Sequence, residues 1–351
     1  MKEGLLILGD HLPDPHSGER VSQAERYRQF VALALRAEAL GFDSVWLGEH
    51  HLCDYILSSP PVVLAAIASL TRKLRLGTAV TLLGNLDPVR VAEDYATVDA
   101  LSGGRVEVVA GRGVLKRTYR DFGHDPADSR ELYRENIELL LRLFTETDVH
   151  WSGRFRAPLD GVTVTPGPVQ KPHPPLWIGG GSSVDSVDLA ASLGLPLMLP
   201  SVLAPPQAFL PMVERYRARF AAAGHAHAVP RVGACSHVHV AEDSETARRR
   251  WQPYHMSYLN WVTRLMVWGG MNIDASTGST RSPSLDFERL LLGPSVCGSP
   301  AEVSDRILGM REALGLDLHI AMFDHGGMPE KLVVETLELF GTRVLPELVR
   351  A

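Results

Sequence analysis

The stretch LWIGGGSSVDSVDLAASLGLPLML, residues 176–199, decides the fold. Leu176–Ile178 is a short apolar run of the kind a strand buried on both faces needs. Glycines and serines follow, and Val184–Leu193 then reads as a helix. Leu197–Leu199 is a second apolar run. Strand, helix and strand in so short a span make a parallel pair joined by a crossover.

The same alternation extends outward in both directions. Leu5–Leu8, Ser44–Leu47, Leu74–Thr81, Val106–Ala110, Arg231–Val240 and Leu318–Phe323 read as further strands. Between and around them lie helical patterns at Gln23–Leu40 (closed by Gly41), Pro60–Arg72, Pro88–Leu101, Ser129–Thr145, Pro206–Ala223, Ser244–Val262, Ala301–Leu314 and Glu330–Leu345. About eight such units predict an α/β protein, a (β/α)8 TIM barrel with insertions. The rival, an open doubly wound sheet, lacks its G-x-G-x-x-G signature after the first strand. Val149–Pro175 is irregular, and its Trp151–Phe155 and Val162–Thr165 pieces are expected to pair as a hairpin. Residues 266–294 are Gly/Ser-rich and aperiodic, and are expected to form a lid. No Pro/Ser linker divides the chain, so one domain over residues 1–351 is expected.

Composition narrows the function. Apolar residues are 45% and charged residues 22% of the 351, with a net charge of −6. Charges of both signs are interspersed, which argues against nucleic acid or an anionic membrane as partner. The three cysteines, Cys53, Cys235 and Cys297, are far apart and odd in number, which fits a reducing, cytoplasmic setting. The N-terminal apolar run is too short for a signal peptide, and no stretch is long enough for a membrane span.

In a barrel the chemistry sits at the C-terminal ends of the strands. Gly48-Glu49-His50-His51 follows the second strand. Neighbours on a strand end point opposite ways, and no further ligand follows at metal spacing, so no metal is expected. His50 reads either as a histidine bonded within its loop or as a proton-handling catalytic group, since imidazole titrates near neutral pH. Gly77-Thr78-Ala79-Val80-Thr81 is small enough to pack a strand or to admit a flat ring. Gly111-Arg112-Gly113 offers an anion contact or a rim salt bridge. Asp128-Ser129-Arg130 opens a helix with a cation in its first turn, which the dipole disfavours unless an anion is close. The run from Gly179 to Ser186 brings backbone N–H groups, a helix start and the hydroxyls of Ser182, Ser183 and Ser186 together after Gly181. That is the physics of a phosphate site or, more plainly, of a capped flexible loop. No lysine follows the glycines, so it is not a Walker loop.

Taken in order, these segments resemble bacterial-luciferase-like flavin monooxygenases. The resemblance rests on Trp46-Leu47-Gly48-Glu49-His50-His51, Gly77-Thr78-Ala79, Asp87-Pro88-Val89-Arg90-Val91-Ala92-Glu93-Asp94, Leu101-Ser102-Gly103-Gly104-Arg105, Gly111-Arg112-Gly113, Phe122-Gly123 with Asp128-Ser129-Arg130, and Gly194-Leu195-Pro196. It implies a barrel that binds reduced flavin mononucleotide (FMN) delivered by a separate flavin reductase. It also implies a flavin 4a-hydroperoxide that oxidises a small organic substrate. His50 falls at the catalytic histidine. Arg112, Arg130, Ser183 and Ser186 fall at the phosphate, with Ser182 where the luciferase α subunit has a glutamate. Ala79–Val80 falls at a non-proline cis peptide under the ring. Gly111 departs from that subunit, which has a cysteine there; the lost bulk is expected to admit a different ring pose or cofactor, and light emission is not implied. A homodimer is expected on the same ground. Two alternatives stay open: a dehydrogenase using the deazaflavin coenzyme F420, for which Lys116 and Arg117 would add cations, and a non-catalytic flavin-binding partner subunit.

Overall fold

The computed structural model describes residues 1–181, 183–202, 204–225, 228–270 and 286–350. Eight parallel strands close a barrel. In chain order they are β1 (Lys2–Ile7), β2 (Ser44–Leu47), β3 (Arg75–Thr81), β4 (Val106–Ala110), β5 (Leu176–Gly179), β6 (Leu197–Leu199), β7 (Val232–Val240) and β8 (Leu318–Met322). Each pairs with the next, and β8 returns to β1. The expected (β/α)8 barrel is the fold that forms.

A closed barrel has one interior, and it must be filled without voids. Trp46 and Trp177 do most of the filling, both fully buried. Glycines on neighbouring strands make the room. A Cβ on Gly4 would stand 2.7 Å from Trp46 Nε1, and one on Gly77 would lie within the Trp46 ring's own contact surface. A Cβ on Gly233 would stand 2.7 Å from Met198 Cε. The indole N–H groups are satisfied in place: Trp46 donates to Ser44 Oγ at 2.7 Å and Trp177 to Glu107 Oε2 at 3.1 Å.

The larger core lies between strands and helices, where Phe30, Leu64, Tyr95, Ile137, Leu140 and Phe340 are buried. Helix Gln23–Leu40 starts on the Ser22 side chain, which accepts from Glu25 N at 3.1 Å, and stops at Gly41 with φ 88°. Among the described residues no helix is long and apolar enough to cross a membrane, and no cluster of His, Cys, Asp and Glu is arranged to hold a metal.

Several expected boundaries move. The hairpin pairs Val149–Trp151 with Leu159–Val162, not the segments proposed from sequence. Glu135 explains the shift: its carboxylate accepts from Arg154 N at 2.7 Å and Phe155 N at 3.1 Å, taking those donors out of any ladder. The helix begun at Ser244 runs on to Trp268. Helices Lys116–Asp121 and Phe287–Leu292 and a strand at Ser295–Gly298 were not anticipated. That strand pairs with the far end of β7, His237 to Val240. Most of the expected lid, residues 271–285, lies outside the described residues.

Buried histidines set the pH response. Burial holds the imidazoles of His50, His237 and His239 down at about 3 and those of His255 and His325 well below their ordinary value. On unfolding they are free to charge, so between pH 6.5 and the folded values the unfolded chain holds more protons and stability falls as pH falls. Asp10 and Glu3 oppose this. Burial raises Asp10 to about 7 and also raises Glu3, so the folded chain keeps protons there that the unfolded chain releases. The histidines outnumber the two carboxyls. Unfolding at pH 5.5 should therefore take up about three protons, read from the pH dependence of denaturant midpoints. Zero uptake, or release, would contradict this accounting.

Candidate active site at the barrel mouth

Four of the candidate segments lie where strands end, and Asp128-Ser129-Arg130, at the start of a helix, reaches them through Arg112 and Asp185. Ala79 and Val80 end β3, and the Ala79–Val80 peptide is cis. The β3–β4 register shifts between Ala79 and Thr81. Thr81 is fixed by the hydroxyls of Thr78 at 2.8 Å and Tyr95 at 2.6 Å. Val80 then fills the space beside two neighbouring strands. A Cβ on Gly111 would stand 2.8 Å from Val80 Cβ and closer still to its Cγ2, while one on Gly179 would stand 3.0 Å from Val80 Cγ1. The expectation that Gly111 opens space is thus corrected: Val80 already occupies the volume a side chain at 111 would need. What the two glycines provide is a shelf of side-chain-free backbone beside Val80.

Beyond the shelf lies the polar rim. Arg112 Nη1 donates to Ser129 Oγ at 3.1 Å. The backbone around it is held by Tyr119, whose hydroxyl donates to Arg112 O, and by Tyr133, which donates to Ala110 O at 2.9 Å. Arg130, next to Ser129, pairs with Asp185 in the first turn of helix Val184–Leu193. The anion that the first-turn cation required is therefore Asp185, and both partners are exposed. Ser183 caps that helix, accepting from Ser186 N at 3.4 Å, and its Oγ lies 3.1 Å from Ser186 Oγ. Gly180 leaves room for Ser186, since a Cβ there would stand 2.6 Å from Ser186 Oγ, and Gly181 takes φ 115°. An unbroken chain of contacts thus joins Arg112, Ser129, Arg130, Asp185 and the Ser183–Ser186 turn. Ser182 lies outside the described residues.

The two histidines have separate environments. His51 Nε2 bonds Glu49 Oε1 at 2.7 Å, and Glu49 Oε2 accepts from Leu82 N at 3.2 Å. His51 is thereby tied to structure. The Nδ1 of His50 is shut off from solvent and has no partner among the described residues, although the residue as a whole stays partly exposed. Burial, with His51 adding to it, pushes the His50 imidazole down to about 3, so it is neutral at physiological pH. Its ring stacks on Tyr55, with centroids 3.8 Å apart and planes at 19°.

Tyr95, Trp177 and His319 are buried core. Trp261 stands edge-on to Tyr55 at 4.6 Å, and Trp268 lies under the Arg117 guanidinium at 4.2 Å. Tyr55 and Tyr258 were missed; single aromatics in a loop and on a long helix carry no motif.

Residues 1–317 match the family model of luciferase-like monooxygenases, and the chain belongs to that family. One relative is the alkanal monooxygenase alpha chain of the Kryptophanaron alfredi symbiont, 31% identical over 200 residues, 57% of this chain and 54% of that one. The chain matches about half the length of such curated relatives. The crystal structure of monooxygenase RslO1 from Streptomyces bottropensis aligns with a TM-score of 0.86 at 28% identity over 99% of both chains. The oxygenating constituent of 3,6-diketocamphane monooxygenase from Pseudomonas putida, in complex with FMN, aligns at 0.81 with 19% identity over 99% and 98%. A coenzyme F420 dependent tetrahydromethanopterin reductase from Methanopyrus kandleri aligns at 0.73 with 20% identity over 99% of both chains. At these last two identities the fold alone is shared.

The packing of Val80 gives a direct test. Gly111→Ala should destabilise the protein by about 1–3 kcal/mol, the usual cost of overfilling a packed site. Val80→Ala in the same chain should restore most of the loss, read by thermal melts. Additive losses in the double variant would show that Val80 does not set the limit at 111.

Proposed function

We propose that this chain is the oxygenase component of a flavin-dependent monooxygenase, using externally supplied reduced FMN and molecular oxygen on a small organic substrate. The observation that carries the reading is a neutral histidine with an orphaned buried nitrogen, at the same mouth as an anion-ready rim and a shelf of side-chain-free backbone. The residues present fit the cofactor. Ala79, Val80 and Gly111 would lie beneath its ring. Arg112, Arg130, Gly181, Ser182, Ser183 and Ser186 would hold its phosphate. When bound, reduced FMN supplies the electrons that activate oxygen.

The protein's own groups do the rest. Arg112 meets a dianionic phosphate with paired donors, and the start of helix Val184–Leu193 adds its N–H groups. His50, kept neutral, presents a hydrogen-bonding nitrogen without bringing a fixed positive charge to the ring. The shelf around Val80 would keep water from one face of the ring. The chain has no dinucleotide fingerprint, so a separate reductase is the source of reduced flavin. A homodimer is supported by the exposed apolar side chains of Val62, Leu70 and Leu101 on adjacent helices.

Titration under argon with reduced FMN and, separately, with coenzyme F420 tests the reading. Reduced FMN should bind, and Arg112→Ala should weaken it about 10- to 100-fold, the worth of a charge-assisted contact. His50→Ala should keep that affinity and lose turnover after oxygen is admitted, whereas His51→Ala should not. Tight binding of the deazaflavin alone would overturn the proposal in favour of hydride transfer. Asp185→Ala should tighten binding, because it frees Arg130 from its present partner.

A further inference from the structure

We infer that Tyr55 and Tyr258 form a hydroxyl-paired device that fixes the ring of His50, making both tyrosines positioning residues. The inference rests on the role proposed for His50 and goes beyond it by naming what aims that side chain.

A working histidine is ordinarily aimed through its second ring nitrogen, by a carboxylate or a backbone carbonyl. Among the described residues His50 lacks that support, because its Nδ1 is buried and has no partner there. Its backbone N–H is spent on Leu57 O at 2.9 Å, which fixes the main chain and leaves the side-chain torsions free. The nearly parallel Tyr55 ring, 3.8 Å away, is the contact that sets the imidazole plane. His51 offers a contrast: its carboxylate partner aims it without any parallel stack.

A stack can aim a ring only if the stacking partner is itself fixed, and Tyr55 is fixed at both ends. Its backbone forms a bridge with Asp10, flanked by His11 N to Asp54 O at 2.7 Å and Ile56 N to Gly9 O at 2.8 Å. Its hydroxyl meets the Tyr258 hydroxyl at 2.6 Å. Both side chains are buried, and burial keeps both phenols protonated, so one donates and the other accepts. Removing either hydroxyl leaves the other buried without its partner, a state that proteins avoid. Tyr258 is wedged in turn against His237 and His325, with centroids 5.3 and 4.9 Å away. It sits on helix Ser244–Trp268, so the pair fastens the loop after β2 to that helix and transmits its position to His50.

The test uses full-length protein labelled with 13C/15N-histidine, the His50 signal being assigned by its loss in His50→Gln. Stacked on Tyr55, the His50 ring protons should be displaced upfield by the phenol's ring current. Tyr258→Phe and Tyr55→Phe should each move that signal and slow reoxidation of bound reduced FMN by about fivefold, the worth of one hydrogen bond. The Phe/Phe double variant should be no slower than either single one, since both act through a single bond. Tyr55→Leu, which removes the stack, should cost about 100-fold, as expected for a misaimed catalytic group, with FMN affinity unchanged within about twofold. An unmoved His50 signal in both Phe variants, or strictly additive slowing, would overturn the device. A His50→Gln protein that reoxidises flavin at the wild-type rate would instead sink the role proposed for His50, while the resonance shifts would still judge the positioning.

Discussion

Everything at the mouth depends on how the barrel interior is filled. Two tryptophans cannot enter a closed eight-stranded barrel unless the strands facing them give up side chains, and Gly4, Gly77 and Gly233 do so. That exchange of bulk ties each strand to a definite position relative to its neighbours. A strand slipped by one residue would turn its glycine outward and drive a side chain into an indole. Val80 sits near the end of one such strand, and the loops that carry Arg112 and His50 continue two others, so their mutual placement is inherited from packing well below the site. The same rule recurs one layer higher, where Val80 fills the space that Gly111 and Gly179 leave.

Charge at the mouth is arranged by contrast. One side has an exposed ion pair, Arg130 with Asp185. The other has aromatic rings and an imidazole that burial keeps uncharged. A bound flavin nucleotide has the same two-ended character, with an anionic tail and a flat apolar ring. This match of polarity to geometry supports the reading of the mouth as a nucleotide site better than any one residue does.

The barrel was legible in the sequence because parallel strands buried on both faces read as apolar runs, and the helices between them keep a clear period. Ser44–Leu47, Val106–Ala110 and Val184–Leu193 were placed to the residue. What escaped depends on contacts between distant parts of the chain. Glu135 draws off the backbone donors of Arg154 and Phe155, and nothing near those residues announces it. The strand at Ser295–Gly298 begins on a polar residue directly after an aperiodic stretch, and its partner is the overhanging end of β7. At the site, the glycine runs and Arg112 could be singled out because glycine and arginine have few other reasons to sit at a strand end. The filling of the space beside Gly111 by Val80 could not, since it joins two strands through volume alone. Nor could the contact between Tyr55 and Tyr258, which join the chain across some two hundred positions.

The ion pair between Arg130 and Asp185 has a consequence for traffic through the site. A guanidinium already neutralised by an exposed carboxylate gains little when a phosphate replaces that carboxylate, because one partner is traded for another. On the proposed reading, such a rim would take up its ligand without holding it irreversibly and would surrender it as the internal anion swings back. For a protein proposed to borrow its flavin in each catalytic round, a tethered competitor of this kind sets residence time more than capture. On the same reading, departure of the spent coenzyme would be sensitive to ionic strength.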